Sequence, residues 1–271
     1  MPELPEVETT RRGILPLAQG KTVAGIVTRV PALRLPLDVS RLSRLRGAKL
    51  IDIERRAKYL LFRFTRGWLL VHLGMSGSLG FLSRYAPPTA HDHVDIRFDD
   101  DSRLRLKDPR RFGTVLYLEQ DPWAHPLLCR CGPEPFGGEF DGGYLYRMSR
   151  GRRLPVQCFL LDQRVVAGLG NIYVNEALHA SGIDPRRAAG RISKKRYTLL
   201  AEAVCRVLQR ALEAGGTTLR DFRDGVGKSG YFSLQLQVYG RRGELCPRCR
   251  RRLEEGRLHQ RSIFYCRYCQ R

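Results

Sequence analysis

The sequence predicts an α+β protein: an amino-terminal helix followed by a strand-rich first half, a helical second half, and a cysteine-paired β-hairpin finger at the end. Three observations predict it. Between Thr22 and about Leu118, apolar residues recur at every second position. Beyond the Gly- and Pro-rich stretch 130–143 they recur with a helical period, and two C-x-x-C pairs close the sequence. With 271 residues and 42% hydrophobic content, the chain can fill one large core or two ordinary ones.

The opening Met1-Pro2-Glu3-Leu4-Pro5-Glu6-Val7-Glu8 leads into a helix in which Val7, Ile14, Leu15 and Ala18 share a face and Gly20 supplies the stop. Proline in the first turn and acids near the positive end suit a helix start. The same residues also permit chemistry. Removal of Met1 would leave Pro2 with a free secondary amine beside the Glu3 carboxylate. Such an amine, with a pKa of about 8, is partly unprotonated at cellular pH and can attack an electrophilic carbon to form a Schiff base.

Strands are marked by Ile51 and Ile53; Leu60, Phe62 and Phe64; Val94, Ile96 and Phe98; Leu104 and Leu106; and Val115 and Tyr117, with Gly and Asp turns between them. This spacing describes a β-sandwich or a barrel. Lys58 begins one strand, and His72-Leu73-Gly74-Met75-Ser76-Gly77 ends another, with Met75 suited either to a core or to a wedge. Asp108-Pro109-Arg110-Arg111-Phe112-Gly113 reads as a hairpin tip, either simply solvated or able to fill the gap left by an extruded base.

Residues 130–143 lack periodicity and read as a linker. Gly168-Leu169-Gly170-Asn171-Ile172-Tyr173 follows an apolar segment and opens a helix, as a packed turn or as a phosphate-holding helix start. Tyr197, Leu200, Val204, Val207, Leu208, Ala211 and Leu212 form a helical face before Gly215-Gly216, and residues 234–239 alternate again toward the cysteine pairs. The expected domains are 1–130 (helix and sandwich), 131–143 (linker), 144–239 (helical) and 240–271 (finger).

Cys246-Pro247-Arg248-Cys249 and Cys266-Arg267-Tyr268-Cys269 are separated by sixteen intervening residues, a spacing that brings two thiolate-bearing turns onto one tetrahedral, structural Zn²⁺. The other four of the eight cysteines, Cys129, Cys131, Cys158 and Cys205, read as structural, with Cys129-x-Cys131 also open to oxidation. Lys and Arg total 48 against 27 Asp and Glu, a formal charge of +21 that points to a polyanion, nucleic acid first. No stretch approaches the roughly 18 apolar residues of a membrane span, and the acidic start is unlike a signal peptide. A cytoplasmic, nucleoid-associated monomer is expected.

The Pro2 to Glu8 opening, Lys58, the 72–77 and 108–113 segments, the 168–173 turn and the four cysteines together resemble, in order and spacing, formamidopyrimidine-DNA glycosylases over nearly the whole chain. The resemblance implies an amino-terminal helix and β-sandwich, a helix-two-turn-helix domain and a zinc finger, with damaged double-stranded DNA as partner. It implies Pro2 as nucleophile at the sugar C1′, Glu3 as the acid that opens the ring, and Lys58 as a phosphate contact at the active site. His72, Met75, Arg110, Phe112, Asn171, Lys228 and Arg261 would bind DNA; Met75, Arg110 and Phe112 fill the void, Arg261 sits at the finger's hairpin tip, and residues 224–231 close over the base. The implied activity is release of oxidised purines such as 8-oxoguanine and formamidopyrimidines, followed by strand cleavage on both sides of the abasic sugar.

Two positions depart from the family. Val156-Gln157 stands where Ile-Lys is usual, so one phosphate contact is lost unless Arg152 or Arg153 replaces it; and Ala57 stands where glycine is common. The competing readings are an endonuclease VIII-type enzyme for oxidised pyrimidines, a non-catalytic zinc DNA-binding protein, which leaves Pro2, Glu3 and Lys58 unexplained, and a basic ribosome-associated protein.

Overall fold

The computed structural model describes residues 2–216 and 235–271, which divide into two compact units. The first runs to Cys129 and takes in the chain again from Leu212; the second holds Arg130–Ala211 and the chain from Leu234.

In the first unit, α1 (Leu4–Ala18), β1 (Val23–Thr28) and the short α2 (Val39–Ser43) precede β2 (Leu50–Arg56), β3 (Tyr59–Phe64) and β4 (Trp68–His72). β5 (Ser78–Leu82), β6 (Asp92–Phe98), β7 (Arg103–Lys107) and β8 (Thr114–Leu118) follow. They form two antiparallel four-stranded sheets, ordered β1-β6-β7-β5 and β2-β3-β4-β8. Val94, Ile96, Phe98, Leu104 and Leu106 of one sheet and Ile53, Leu60, Phe62, Leu69 and Val71 of the other share one core with Val7, Ile14 and Ala18 of α1. The alternation thus belongs to a sandwich, in which every second side chain faces inward and each buried Leu, Ile or Phe contributes roughly 1.5–3 kcal/mol. β3 and β4 carry apolar residues on both faces, because Leu61 and Leu70 pack outward against Leu128.

Glu3 caps α1 through a reciprocal box: its side chain accepts from the Glu6 backbone, and Glu6 Oε2 accepts the Glu3 N–H at 2.8 Å. Glu8 then ties the helix to β2, accepting from Arg11 Nη2 and Arg12 Nε at 2.8 Å each and from Arg55 Nε at 3.3 Å. Burial pushes the Glu8 carboxyl up, but these guanidinium groups outweigh it and hold its pKa at about 2. On the outward face of the other sheet, Asp95 plays a similar part, accepting twice from Arg105 at 2.8 Å and once from Arg29 at 2.6 Å.

The second unit contains α3 (Gly142–Ser149), α4 (Val156–Leu161), α5 (Asn171–Ala180) and α6 (Lys194–Glu213) as far as Ala211, then the hairpin β9 (Glu254–Leu258) and β10 (Arg261–Tyr265). Phe159, Tyr173 and Tyr197 fill its helical core. α3 comes so close to α6 that a Cβ on Gly142 would lie 2.3 Å from Thr198 Cα. Between α4 and α5, Gln163 clasps two successive residues: Oε1 accepts the Gly168 N–H and Nε2 donates to the Leu169 carbonyl, both at 2.8 Å.

Two segments differ from expectation. Residues 131–143, read as a linker, lie against this unit, with Gly132 N–H on the Gln163 carbonyl, Ala167 N–H on that of Pro133, and Phe140 buried. Residues 235–239, read as part of an alternating strand, form none, because their amides have another partner. The N–H groups of Gln237, Val238 and Tyr239 all donate to the Glu176 carboxylate of α5, each at 2.9 Å.

Candidate active site

Pro2 is buried immediately before the N-cap Glu3, which is only 1% exposed. Both therefore sit at the positive end of the α1 dipole, which favours a carboxylate and disfavours a protonated amine. The backbone of Gly216 comes against Glu6, the residue that holds Glu3: a Cβ there would lie 3.1 Å from Glu6 Oε1. α1 packs on β2 and β3, and Lys58, 7% exposed, lies in the tight turn joining those strands. Ala57 makes that turn at φ +53°, a left-handed conformation that glycine adopts without strain.

Lys58 is electrostatically coupled to His72 at the end of β4. Burial first, and then the charges of Lys58 and Arg34, push His72 down to about 4, so the ring is neutral. Its Nδ1 accepts the Gly74 N–H at 3.0 Å, which leaves the proton on Nε2, and Tyr59 packs on the ring at 4.8 Å.

The 108–113 segment is not a hairpin tip. It carries the chain from β7 in one sheet to β8 in the other, and so crosses the end of the sandwich beside the 73–77 loop. Asp108, fully buried, organises both: Oδ2 accepts the Gly113 N–H at 2.7 Å, Oδ1 accepts from Ser76 Oγ at 3.1 Å, and its carbonyl meets His93 Nε2 at 3.0 Å. At Gly74, φ +66°, a Cβ would lie 2.5 Å from the Phe112 carbonyl carbon, so only glycine lets the loops meet. The outcome is a projecting trio: Met75 is 36% and Phe112 43% exposed, and the Arg110 guanidinium stands 4.9 Å over the Phe112 ring.

In the second unit, Asn171 is the first residue of α5 and reaches the hairpin, donating from Nδ2 to the Ser262 carbonyl at 2.8 Å, next to Arg261 at the start of β10. The Sγ atoms of Cys246, Cys249, Cys266 and Cys269 all lie within 4.8 Å of one another, a spacing that would hold a metal ion. Four sulfur donors converging from two turns suit Zn²⁺. His179 Nε2 lies 3.5 Å from Cys246 Sγ.

Lys228 and the 224–231 segment lie outside the described residues. Sequence reasoning missed the polar residues that bind the finger to α5. Asn175 accepts the Phe264 N–H at 2.7 Å, Glu176 holds residues 237–239, and His179 meets Cys246. A signal was present: Asn171, Asn175 and His179 recur every fourth residue, with Glu176 beside them, in a helix whose other residues are largely apolar.

Two family models match the chain: the formamidopyrimidine-DNA glycosylase N-terminal domain over residues 1–115 and the formamidopyrimidine-DNA glycosylase H2TH domain over residues 131–223. Proteins named formamidopyrimidine-DNA glycosylase from Syntrophotalea carbinolica and Stutzerimonas stutzeri are each 54% identical to it over 271 residues, covering 100% of both chains. Among solved structures, the Lactococcus lactis Fpg mutant in complex with Fapy-dG-containing DNA matches with a TM-score of 0.93 and 32% identity, covering 100% of both chains. MutM (Fpg) from Thermus thermophilus matches with a TM-score of 0.89 and 38% identity, covering 99% of this chain and 98% of the other.

Proposed function

The chain belongs to the formamidopyrimidine-DNA glycosylase family, and from that premise we infer the chemistry of its site. It is a DNA glycosylase of base excision repair with AP lyase activity, and its partner is damaged DNA. The observation that carries the residue-level reading is the burial of Pro2 and Glu3 together at the positive end of α1.

Once Met1 is removed, the Pro2 nitrogen is a secondary amine whose protonation the helix end disfavours, so its lone pair is available at neutral pH. It forms a bond to the sugar C1′ as the bond from C1′ to the base breaks and the base departs with a proton. Glu3, held as a carboxylate, takes the proton that the amine loses on bonding to C1′ and passes it to the ring oxygen, the sugar opens, and an iminium links Pro2 to C1′, while the proton on the departing base comes from solvent. That cation acidifies the neighbouring carbon and permits successive elimination of the 3′ and 5′ phosphates. Oxidised purines, 8-oxoguanine and formamidopyrimidines, are the substrates proposed.

Lys58 and the Nε2–H of neutral His72 hold phosphates, while Met75, Phe112 and Arg110 replace the stacking of the extruded nucleotide. Asn171 and Arg261 grip the backbone through the second unit. The four thiolates hold one structural Zn²⁺, and as they leave no open coordination position the metal organises the finger and takes no part in bond breaking. No helix among the described residues is long and apolar enough to cross a membrane, and we place the enzyme in the cytoplasm.

Borohydride reduction on an 8-oxoguanine duplex, followed by mass mapping, tests the assignment. The adduct should lie on mature Pro2, and an adduct on Lys58 or another lysine overturns it. Glu3→Gln should slow base release more than elimination at a preformed abasic site.

A further inference from the structure

Gln157 is fully buried in the first turn of α4, with its side chain turned onto the first residue of α5. Its Nε2 donates to Asn171 Oδ1 at 2.7 Å, and Asn171 Nδ2 donates in turn to the Ser262 carbonyl at 2.8 Å. The far end sets the direction of this chain of hydrogen bonds. A peptide carbonyl only accepts, so Asn171 must turn its nitrogen to Ser262 and its oxygen to Gln157, and Gln157 must answer with nitrogen. The remaining acceptor, Gln157 Oε1, takes the Cys158 Sγ–H at 3.4 Å.

We propose that Gln157 is the positioning residue of Asn171: it occupies the acceptor side of that amide, so that only the donor side is offered to a DNA phosphate, and locks α4 and α5 to the hairpin beside Arg261. This rests on the reading of Asn171 as a DNA contact. A phosphate oxygen also only accepts, and an inverted Asn171 amide would meet it lone pair to lone pair. The glutamine thereby supplies the donor that a lysine would supply at this position, without the charge.

The test uses the zinc-loaded full-length protein and a duplex containing a non-cleavable abasic analogue. Gln157→Met keeps the length and removes the donor. It should weaken binding about three- to tenfold, the range of one hydrogen bond, with the salt dependence unchanged because no charge is lost. In the free protein it should also shift the side-chain amide resonances of Asn171, and Gln157→Lys should restore both affinity and resonances. In an Asn171→Ala background, Gln157→Met should cause no further loss; additive losses, or unmoved Asn171 resonances, overturn the proposal. If Gln157→Met folds poorly, Gln157→Glu replaces it: its loss of affinity with rising pH should vanish in the Asn171→Ala background, and a loss that persists there overturns the proposal as plain charge repulsion. Wild-type affinity in Asn171→Ala itself sinks the reading of Asn171 and this inference together. A loss in Asn171→Ala with none in Gln157→Met sinks the inference alone.

Discussion

At Ala57 a side chain occupies a backbone conformation suited to glycine, φ +53°, within the turn that presents Lys58. The left-handed conformation costs an L-residue roughly 1–2 kcal/mol, and the greater freedom of glycine in the unfolded chain returns about 0.4–1 kcal/mol of that. Ala57→Gly should therefore stabilise the protein by up to about 1 kcal/mol, read as a higher urea midpoint with an unchanged m-value. His72 supplies a test in pH. Its folded pKa, about 4, lies below the ordinary value of 6.5, so above pH 6.5 the ring is neutral in both states and contributes no pH dependence. As pH falls from 6.5 toward 4 the unfolded chain takes up a proton that the folded ring refuses, and stability drops by at most about 3 kcal/mol. Unfolding curves of wild type and His72→Gln across that window should converge as pH falls; parallel curves contradict a neutral buried ring.

Among the elements, the anchor of residues 237–239 on α5 is the clearest case of structure held by one side chain. Glutamine at 176 would offer one oxygen and turn an NH₂ toward a donor, so Glu176→Gln should cost about 2 kcal/mol. Amide exchange at Val238 and Tyr239 should speed up while that in the β-sandwich core stays slow. This anchor also shows why some elements were legible in the sequence and others were not. The sandwich strands and the cysteine turns were, because a period of two and a C-x-x-C spacing are local properties of the chain. The alternation ending at Tyr239 misled because what decides its fate, Glu176, is 61 to 63 residues away. The 108–113 connection misled for a related reason: strand, turn and strand read alike whether β8 rejoins its own sheet or the other one. At the site, Pro2, Glu3 and Lys58 were readable only as members of a set, whereas the roles of Gln157 and Asp108 depend on contacts no spacing reveals.

For the whole molecule, the β-sandwich and the finger draw their stability from different sources. The first has an extensive apolar core, whereas the finger's own cluster amounts to Val238, Cys246, Leu253, Phe264 and Cys266. So few side chains do not hold a fold without a cross-link, and the metal supplies it. Chelation, or Cys249→Ser, should abolish zinc stoichiometry and DNA binding together, while amide protection in β2, β3 and β4 remains. Normal DNA affinity in the zinc-free protein would contradict a metal-organised finger. Gly74 imposes a different kind of limit on the chain as a whole. With a Cβ denied by the backbone of Phe112, a methyl group there would push apart the two loops that carry Met75 and Arg110. In a saturation survey scored by survival under oxidative stress, Gly74 should prove as intolerant as Pro2, though it has no side chain with which to take part in bond breaking. Met75 should accept other long apolar side chains. The heritable vulnerability of the enzyme thus extends to an atom it must lack.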